Sequence, residues 1–243
     1  EKKLELKVTA QGGVGTSVEQ SFLVDYYKLD SVGWGTPFLL VPEATTVDDK
    51  TREQLLKAKE NDLYLSNVSP LGVPFNNLRN NSKDIEKIEK INDGKPGSNC
   101  PRRFLALSSE YGDKGICTAS RQFQKIKITE IDENSSINFA KVVDKTCLCM
   151  GLAAAAVVNY DIKNSESKTV SICPGPNLAY FSKYMSLKEI SSQIYGMSKN
   201  IARFDRPHMF IKELDLYISY ISDKLAESSN DFNKKHAKYF DKF

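Results

Sequence analysis

The sequence predicts an α/β protein that turns mainly helical after its first hundred residues or so. Three observations carry this expectation. The strand-like run LELKVTA stops on a glycine cluster, a helical-looking segment follows, and the same order returns at DSVGWGTPFLL. Near the C-terminus Phe210, Leu214, Tyr217, Ile218, Ile221 and Leu225 recur at helical spacing. The composition, 40% apolar and 27% charged over 243 residues, is that of an ordinary globular chain of one large domain or two small ones.

In order, Leu4 to Ala10 reads as a strand, Val18 to Tyr27 as a helix and Ser31 to Trp34 as a short buried strand. Phe38 to Val41 reads as the opening of another helix, broken by Pro42. Asp48 or Asp49 then caps a helix running to roughly Glu60. This alternation is the mark of a parallel sheet. Residues 67–81, NVSPLGVPFNNLRNN, are dense in Pro, Gly and Asn and read as a loop. Ser82 to Asn92 reads as a charged helix, and DGKPGSN at 93–99 as a linker. RQFQKIKITEI fits a strand or a helix, and Leu152 to Tyr160 reads as a buried helix. The C-terminal apolar stripe reads as core packing. The expected divisions are therefore 1–80, a helix and linker at 81–99, and a cysteine-containing, mainly helical extension at 100–243.

Charge excludes one class of function. The net charge of +3 comes from 34 basic and 31 acidic residues, interleaved as in KDIEKIEKIND, so no face is massed for a nucleic acid. The longest apolar run, CLCMGLAAAAVV at 147–158, falls short of the roughly 20 residues a membrane-spanning helix needs. LELKV is too short and too interrupted for a secretory leader. The reading is a cytosolic protein with no membrane partner. The chain begins at Glu1, without Met, on a strand whose parallel pairing calls for neighbours on both sides. The expectation is that further polypeptide, or a separate chain, lies upstream.

The glycine turns suggest an anion site. Gln11-Gly12-Gly13-Val14-Gly15-Thr16 carries no GK[ST] and no GxGxxG, yet glycines admit close backbone approach and a helix N-terminus offers unpaired N–H groups. Gly33-Trp34-Gly35-Thr36 repeats the arrangement at the next strand end. The plain alternative is two tight turns. VTAQGGVGT, DSVGWGTPFLLVPEAT, the helix near Asp49 and SPLGVPFNNLRNN together resemble the C-terminal third of the nitronate monooxygenase (2-nitropropane dioxygenase-like) family, which are FMN-dependent (β/α)8 barrels. The resemblance covers roughly residues 4–80. It implies that this chain supplies the last two βα units of a TIM barrel. It also implies an FMN phosphate at Gln11, Gly12, Gly13, Gly33, Trp34, Gly35 and Thr36, and oxidoreductase chemistry on a small-molecule substrate once an upstream barrel segment completes the fold. The family's Thr-Gly-Arg-Pro loop is matched without its Arg, Val73 standing in that place. Neither His208 nor His236 lies in the matching segment, so no catalytic residue is assigned.

The five cysteines, Cys100, Cys117, Cys147, Cys149 and Cys173, crowd into the middle of the chain. Their odd number, with no secretion pattern, argues against a disulfide framework. Ordinary buried thiols are the plain reading. Against it, Cys147 and Cys149 are one residue apart, Cys100 and Cys173 precede prolines, and most of the five sit beside turn residues. Four of them would satisfy an iron–sulfur cluster, and zinc is disfavoured because no paired C-x2-4-C knuckles occur. The alternative to a flavin oxidoreductase is thus an iron–sulfur, or zinc, binding interaction module.

Overall fold

A strand, a helix and a second strand open the chain, as the alternation of its first thirty-odd residues requires. The computed structural model describes residues 5–131, 138–163, 168–228 and 234–241. The fold is mixed α/β, and by compactness the chain forms two units, Glu1–Trp34 with Gln193–Phe243, and Gly35–Ser192.

In the first unit β1 (Thr9–Gln11) and β2 (Ser31–Gly33) pair in parallel, in the register Thr9–Ser31, Ala10–Val32 and Gln11–Gly33. Between them runs α1 (Ser17–Asp25), capped by Thr16, whose Oγ1 accepts the Glu19 N–H at 3.2 Å. Such a cap contributes about 1 kcal/mol. Val14, Leu23 and Met209 form the buried core, with Ala10, Leu29, Val32 and Trp34 packed on it. The strand is shorter than the sequence suggests: Leu6 and Val8 are exposed. Beyond Thr9, among the described residues, the pairing continues as the Asp30 N–H to Val8 O bond, 2.9 Å, and the Val8 N–H to Asp30 Oδ2 bond, 2.7 Å.

The second unit begins with a 3-10 turn, Thr36–Leu40, where the sequence suggested an opening α-helix; Pro37 starts it and it ends before Pro42. Then α2 (Asp49–Lys57) is capped by Asp48, whose Oδ1 accepts the Thr51 N–H at 3.0 Å. The expected loop at 67–81 is corrected. β3 (Leu63–Ser66) and β4 (Phe75–Leu78) form an antiparallel hairpin, and only the residues between them form the connection. FNNL does not look like a strand because asparagine is a poor strand former. Tertiary bonds hold it: Asn77 Nδ2 donates to the Tyr64 hydroxyl at 3.0 Å, and Asn77 Oδ1 accepts Asn81 Nδ2 at 3.0 Å.

The helices that follow are α3 (Ser82–Asn92), α4 (Arg121–Thr129), α5 (Phe139–Asp144), α6 (Leu148–Asn159) and α7 (Leu187–Ile194), with α8 (Met209–Ser228) and α9 (Lys234–Phe240) closing the chain. RQFQKIKIT is thereby a helix, started by Ser120, whose Oγ accepts the Phe123 N–H at 3.1 Å. Residues Phe139–Asn159 are apolar enough, by length and composition, to cross a membrane. They are nonetheless two helices: α5 ends at Asp144 and α6 starts at Leu148. Between them the Thr146 N–H donates to Val68 O at 2.8 Å and Lys145 Nζ reaches Ser69 O at 3.2 Å, which ties the break to the β3–β4 connection.

The C-terminal stripe is also corrected. Phe210, Leu214, Tyr217, Ile218 and Leu225 on α8 are all exposed, Leu214 at 54%. Helical spacing identified the helix, but spacing alone does not say what covers the apolar face. The buried apolar residues of the second unit lie elsewhere, among them Leu40, Val41, Leu55, Val68, Leu78, Leu178 and Phe181.

Candidate functional site

Four of the five cysteines are brought together by backbone pairing that no sequence period announces. The Ser98 N–H donates to Ala119 O at 3.0 Å, and the Arg121 N–H donates to Ser98 O at 2.9 Å. This parallel bridge lays the segment leading to Cys100 beside the turn of Cys117, whose carbonyl accepts the Ser120 N–H at 2.9 Å. Gly97 makes the approach possible. It has φ +79°, and a Cβ there would stand 2.7 Å from the Arg121 nitrogen. Gln124, fully buried, then links the third segment: its Nε2 donates to Lys145 O at 2.9 Å and Thr118 O at 3.4 Å. Cys147 is the N-cap residue of α6, and Cys149 follows in that helix's first turn.

These segments surround a cavity of about 890 Å³. Cys100, Cys117, Cys147 and Met150 line one part of its wall; Lys83, Lys90, Arg103, Arg121 and Lys125 supply five cations against the single carboxylate of Glu86. Lys83 Nζ and Lys90 Nζ bond Glu86 at 2.6 and 2.5 Å, and the Thr169 hydroxyl donates to it at 2.6 Å. Burial pushes the Glu86 carboxyl up, but these three hydrogen bonds and the Lys83 charge overcome it and hold it at about 2. Burial pushes the Cys117 thiol up to about 11, helped by the charges of Cys100, Cys147 and Cys149. The Cys149 thiol is likewise raised, first by burial and then by Cys147 and Cys100. Cys149 is half-buried and is not among the residues that line the cavity.

Cys173 stands apart. It is exposed, and the backbone of Asn76 is its hydrogen-bond partner, so the structure gathers Cys100, Cys117, Cys147 and Cys149 without it. Among the described residues, no three His, Cys, Asp or Glu side chains are closed up as ligands of a single metal ion.

The glycine turns are placed as follows. Because Gln11 pairs with Gly33, both turns leave from adjacent strand ends. Gly12 and Gly13 take positive φ, +100° and +70°. Gly33 leaves room for the Gln11 side chain, whose Cγ would lie 2.8 Å from a Cβ there, and Trp34 Nε1 donates to Gln20 Oε1 at 2.6 Å. Gly35 and Thr36 open the second unit.

At the N-terminus of α1 the acceptor is the chain's own carboxylate. The Gly15 N–H donates to Glu19 Oε2 at 2.9 Å. Arg206 Nη1 and the Met209 N–H reach Glu19 Oε1 at 2.8 and 2.7 Å, and Arg206 Nη2 donates to Gly13 O at 2.6 Å. A Cβ on Gly15 would stand 2.8 Å from the Arg206 guanidinium carbon, so this glycine makes room for the arginine. Burial raises the Glu19 carboxyl, but the Arg206 and backbone hydrogen bonds outweigh it and hold the group below the usual carboxylate range.

Comparison with protein-family models and with curated proteins gives no significant match. Sequence reasoning missed Glu19, Arg206, Gln124 and the basic wall of the cavity. The spacing Thr16-x-x-Glu19 was a legible capping signal for the first of these. Nothing local marks the others, because their partners are distant in the chain.

Proposed function

We propose that residues 35–192 form an iron–sulfur module, with Cys100, Cys117, Cys147 and Cys149 as the thiolates that hold a four-iron cluster. The observation that carries this reading is the convergence of three chain segments on one basic cavity, through the Ser98–Ser120 bridge and the Gln124 amide. The donor set fits. Four thiolates match the ligation of a four-iron, four-sulfur cluster. Cys100, Cys117 and Cys147 line a cavity with room for a multi-metal cube, and no paired C-x2-4-C knuckle favours a single zinc ion. A bound cluster would supply one-electron transfer. The chain's own contribution is to hold Cys147 and Cys149 at the start of α6 and Cys100 and Cys117 through the Ser98–Ser120 bridge, beside cations that offset their negative charge. The raised Cys117 and Cys149 thiols give up protons on loading, so metal affinity falls as pH falls.

The test is an iron and acid-labile sulfide assay on anaerobically purified protein, alongside an absorption spectrum. About four iron atoms per chain and a broad brown band are expected. Cys117→Ser removes both, and Cys173→Ser keeps both. Stoichiometric zinc, or background iron in fresh anaerobic protein, sinks the reading.

A second reading keeps the FMN oxidoreductase of the family resemblance. The parallel pairing that sets both glycine turns on adjacent strand ends favours it. Against it stands Glu19, whose carboxylate already engages the Gly15 N–H and would repel a phosphate there. Two flavin absorption bands in the same spectrum would support this reading, and their absence removes it from the isolated chain.

A further inference from the structure

We infer that the cysteine-lined cavity also takes a small dianionic ligand, a dicarboxylate or a phosphate ester, held by Arg103, Arg121 and Lys125. The inference deepens the cluster reading, on which it rests for what else occupies the cavity.

The first argument is charge. Five cations face one carboxylate on the wall. Lys83 and Lys90 are already committed to Glu86. Among the described residues, Arg103, Arg121 and Lys125 have no carboxylate within ion-pair distance. A thiolate-bound cluster brings about two negative charges, which leaves a surplus of about two positive charges on the wall. A dianion balances it.

The second argument is an unmet donor. Arg121 Nε is buried and has no hydrogen-bond partner among the described residues, although its backbone N–H is fixed on Ser98 O. A buried guanidinium nitrogen without an acceptor is costly, and a bidentate oxyanion is the partner its fork geometry matches. The third argument is size. The cavity lies in the range of about 300–1,000 Å³ typical of small-ligand sites, more than an iron–sulfur cube fills. Ser98, Asn99 and Gln122 add neutral polar groups to the same wall, suited to orienting a ligand.

The experiment is calorimetric titration of the anaerobically purified full chain with succinate, glycerol 3-phosphate and, as the uncharged control, succinamide, in low-salt buffer free of phosphate. Saturable binding of one dianion, no binding of succinamide, and affinity that falls with added salt are expected. Arg121→Gln and Lys125→Gln each weaken binding at least tenfold when compared with wild type at equal iron content. Arg103→Gln carries the same test if Arg121→Gln fails to fold, and Lys50→Gln, exposed and off the wall, leaves binding unchanged. Tighter succinate binding assigns a dicarboxylate; tighter glycerol 3-phosphate assigns a phosphate ester. If iron-replete protein binds neither, the inference falls and the cluster reading stands. If protein that never holds iron binds one of them, the cluster reading falls and the anion site stands. Binding that the Arg121, Lys125 and Arg103 variants do not weaken overturns the placement.

Discussion

Arg206 Nη1 donates to Glu19 Oε1 at 2.8 Å, and both side chains are only 3% exposed. The pair joins the first helix of the first unit to the turn that precedes α8. Each partner is hydrogen-bonded elsewhere as well, Glu19 to the Gly15 and Met209 N–H groups and Arg206 to Gly13 O. Removing one partner alone strands a buried charge. Arg206→Ala should cost about 3–5 kcal/mol of unfolding free energy in urea. The double variant Glu19→Leu/Arg206→Met should recover a good part of that loss. A cost for Arg206→Ala below about 1 kcal/mol would mean the pair is solvated.

Acid should act through the lowered carboxylates. Glu86 is held at about 2 in the folded chain, below its unfolded value. A depressed carboxyl stabilises the fold fully above its unfolded pKa, and that contribution is lost as pH falls through the folded value. Between about pH 4.5 and pH 2 the wild type should therefore lose stability through Glu86, and Glu86→Gln should show a flatter decline across that window. Asp84, raised by burial, acts with the opposite sign, since its protonation favours the folded state. A Glu86→Gln profile parallel to wild type would show that the Lys83 and Lys90 bonds do not discriminate the charged form.

Gly97→Ala should loosen the cysteine cavity. The new Cβ would be driven against the Arg121 and Ser120 backbone in a left-handed conformation, so the Ser98–Ser120 bridge must open. Strain of this kind costs about 1–3 kcal/mol. The expected readout is a lower melting temperature together with reduced iron content per chain, because Cys100 is carried by the same bridge. Gly35→Ala, where a Cβ meets nothing within 4 Å, is the control. Equal iron loading in both variants would separate Gly97 from the site.

The exposed stripe of α8 should tolerate truncation in this chain. Leu214→Ala and Tyr217→Ala remove side chains that are 54% and 52% exposed, and each should change unfolding free energy by less than about 0.5 kcal/mol. Leu55→Ala in α2, fully buried, should cost about 2–5 kcal/mol. Urea titration of the three variants compares them directly. A large loss at Leu214 would mean that the face is covered in solution.

Helix starts were the most legible feature of the sequence. Asp48, together with the run Ser82 to Asn92, marked two helices where the structure has them, because capping and charge act within one turn. The βαβ opening was legible for the same local reason, since a strand-like run and a helical run were separated by glycines. The hairpin strand Phe75–Leu78 was not legible. Its asparagines contradict strand propensity, and it is held by Tyr64 and Asn81, which lie outside its own span. The cysteines were visible as a group, but nothing in their spacing separated Cys173 from the other four.

The sequence alone determined which residues could do chemistry: five thiols, most of them beside turn residues, two glycine turns after strands, and a helix capped at Asp48 or Asp49. Those features depend on interactions a few residues long. Tertiary structure decided which of those residues meet. The backbone pairing of Ser98 with Ser120 and the reach of Gln124 to Lys145 gathered four thiols beside a cluster of cations. The approach of Arg206 to Glu19 met the donor at the first glycine turn from within the chain. Such contacts join residues remote in sequence, and burial makes their hydrogen bonds and charges strong, so no local pattern could disclose them.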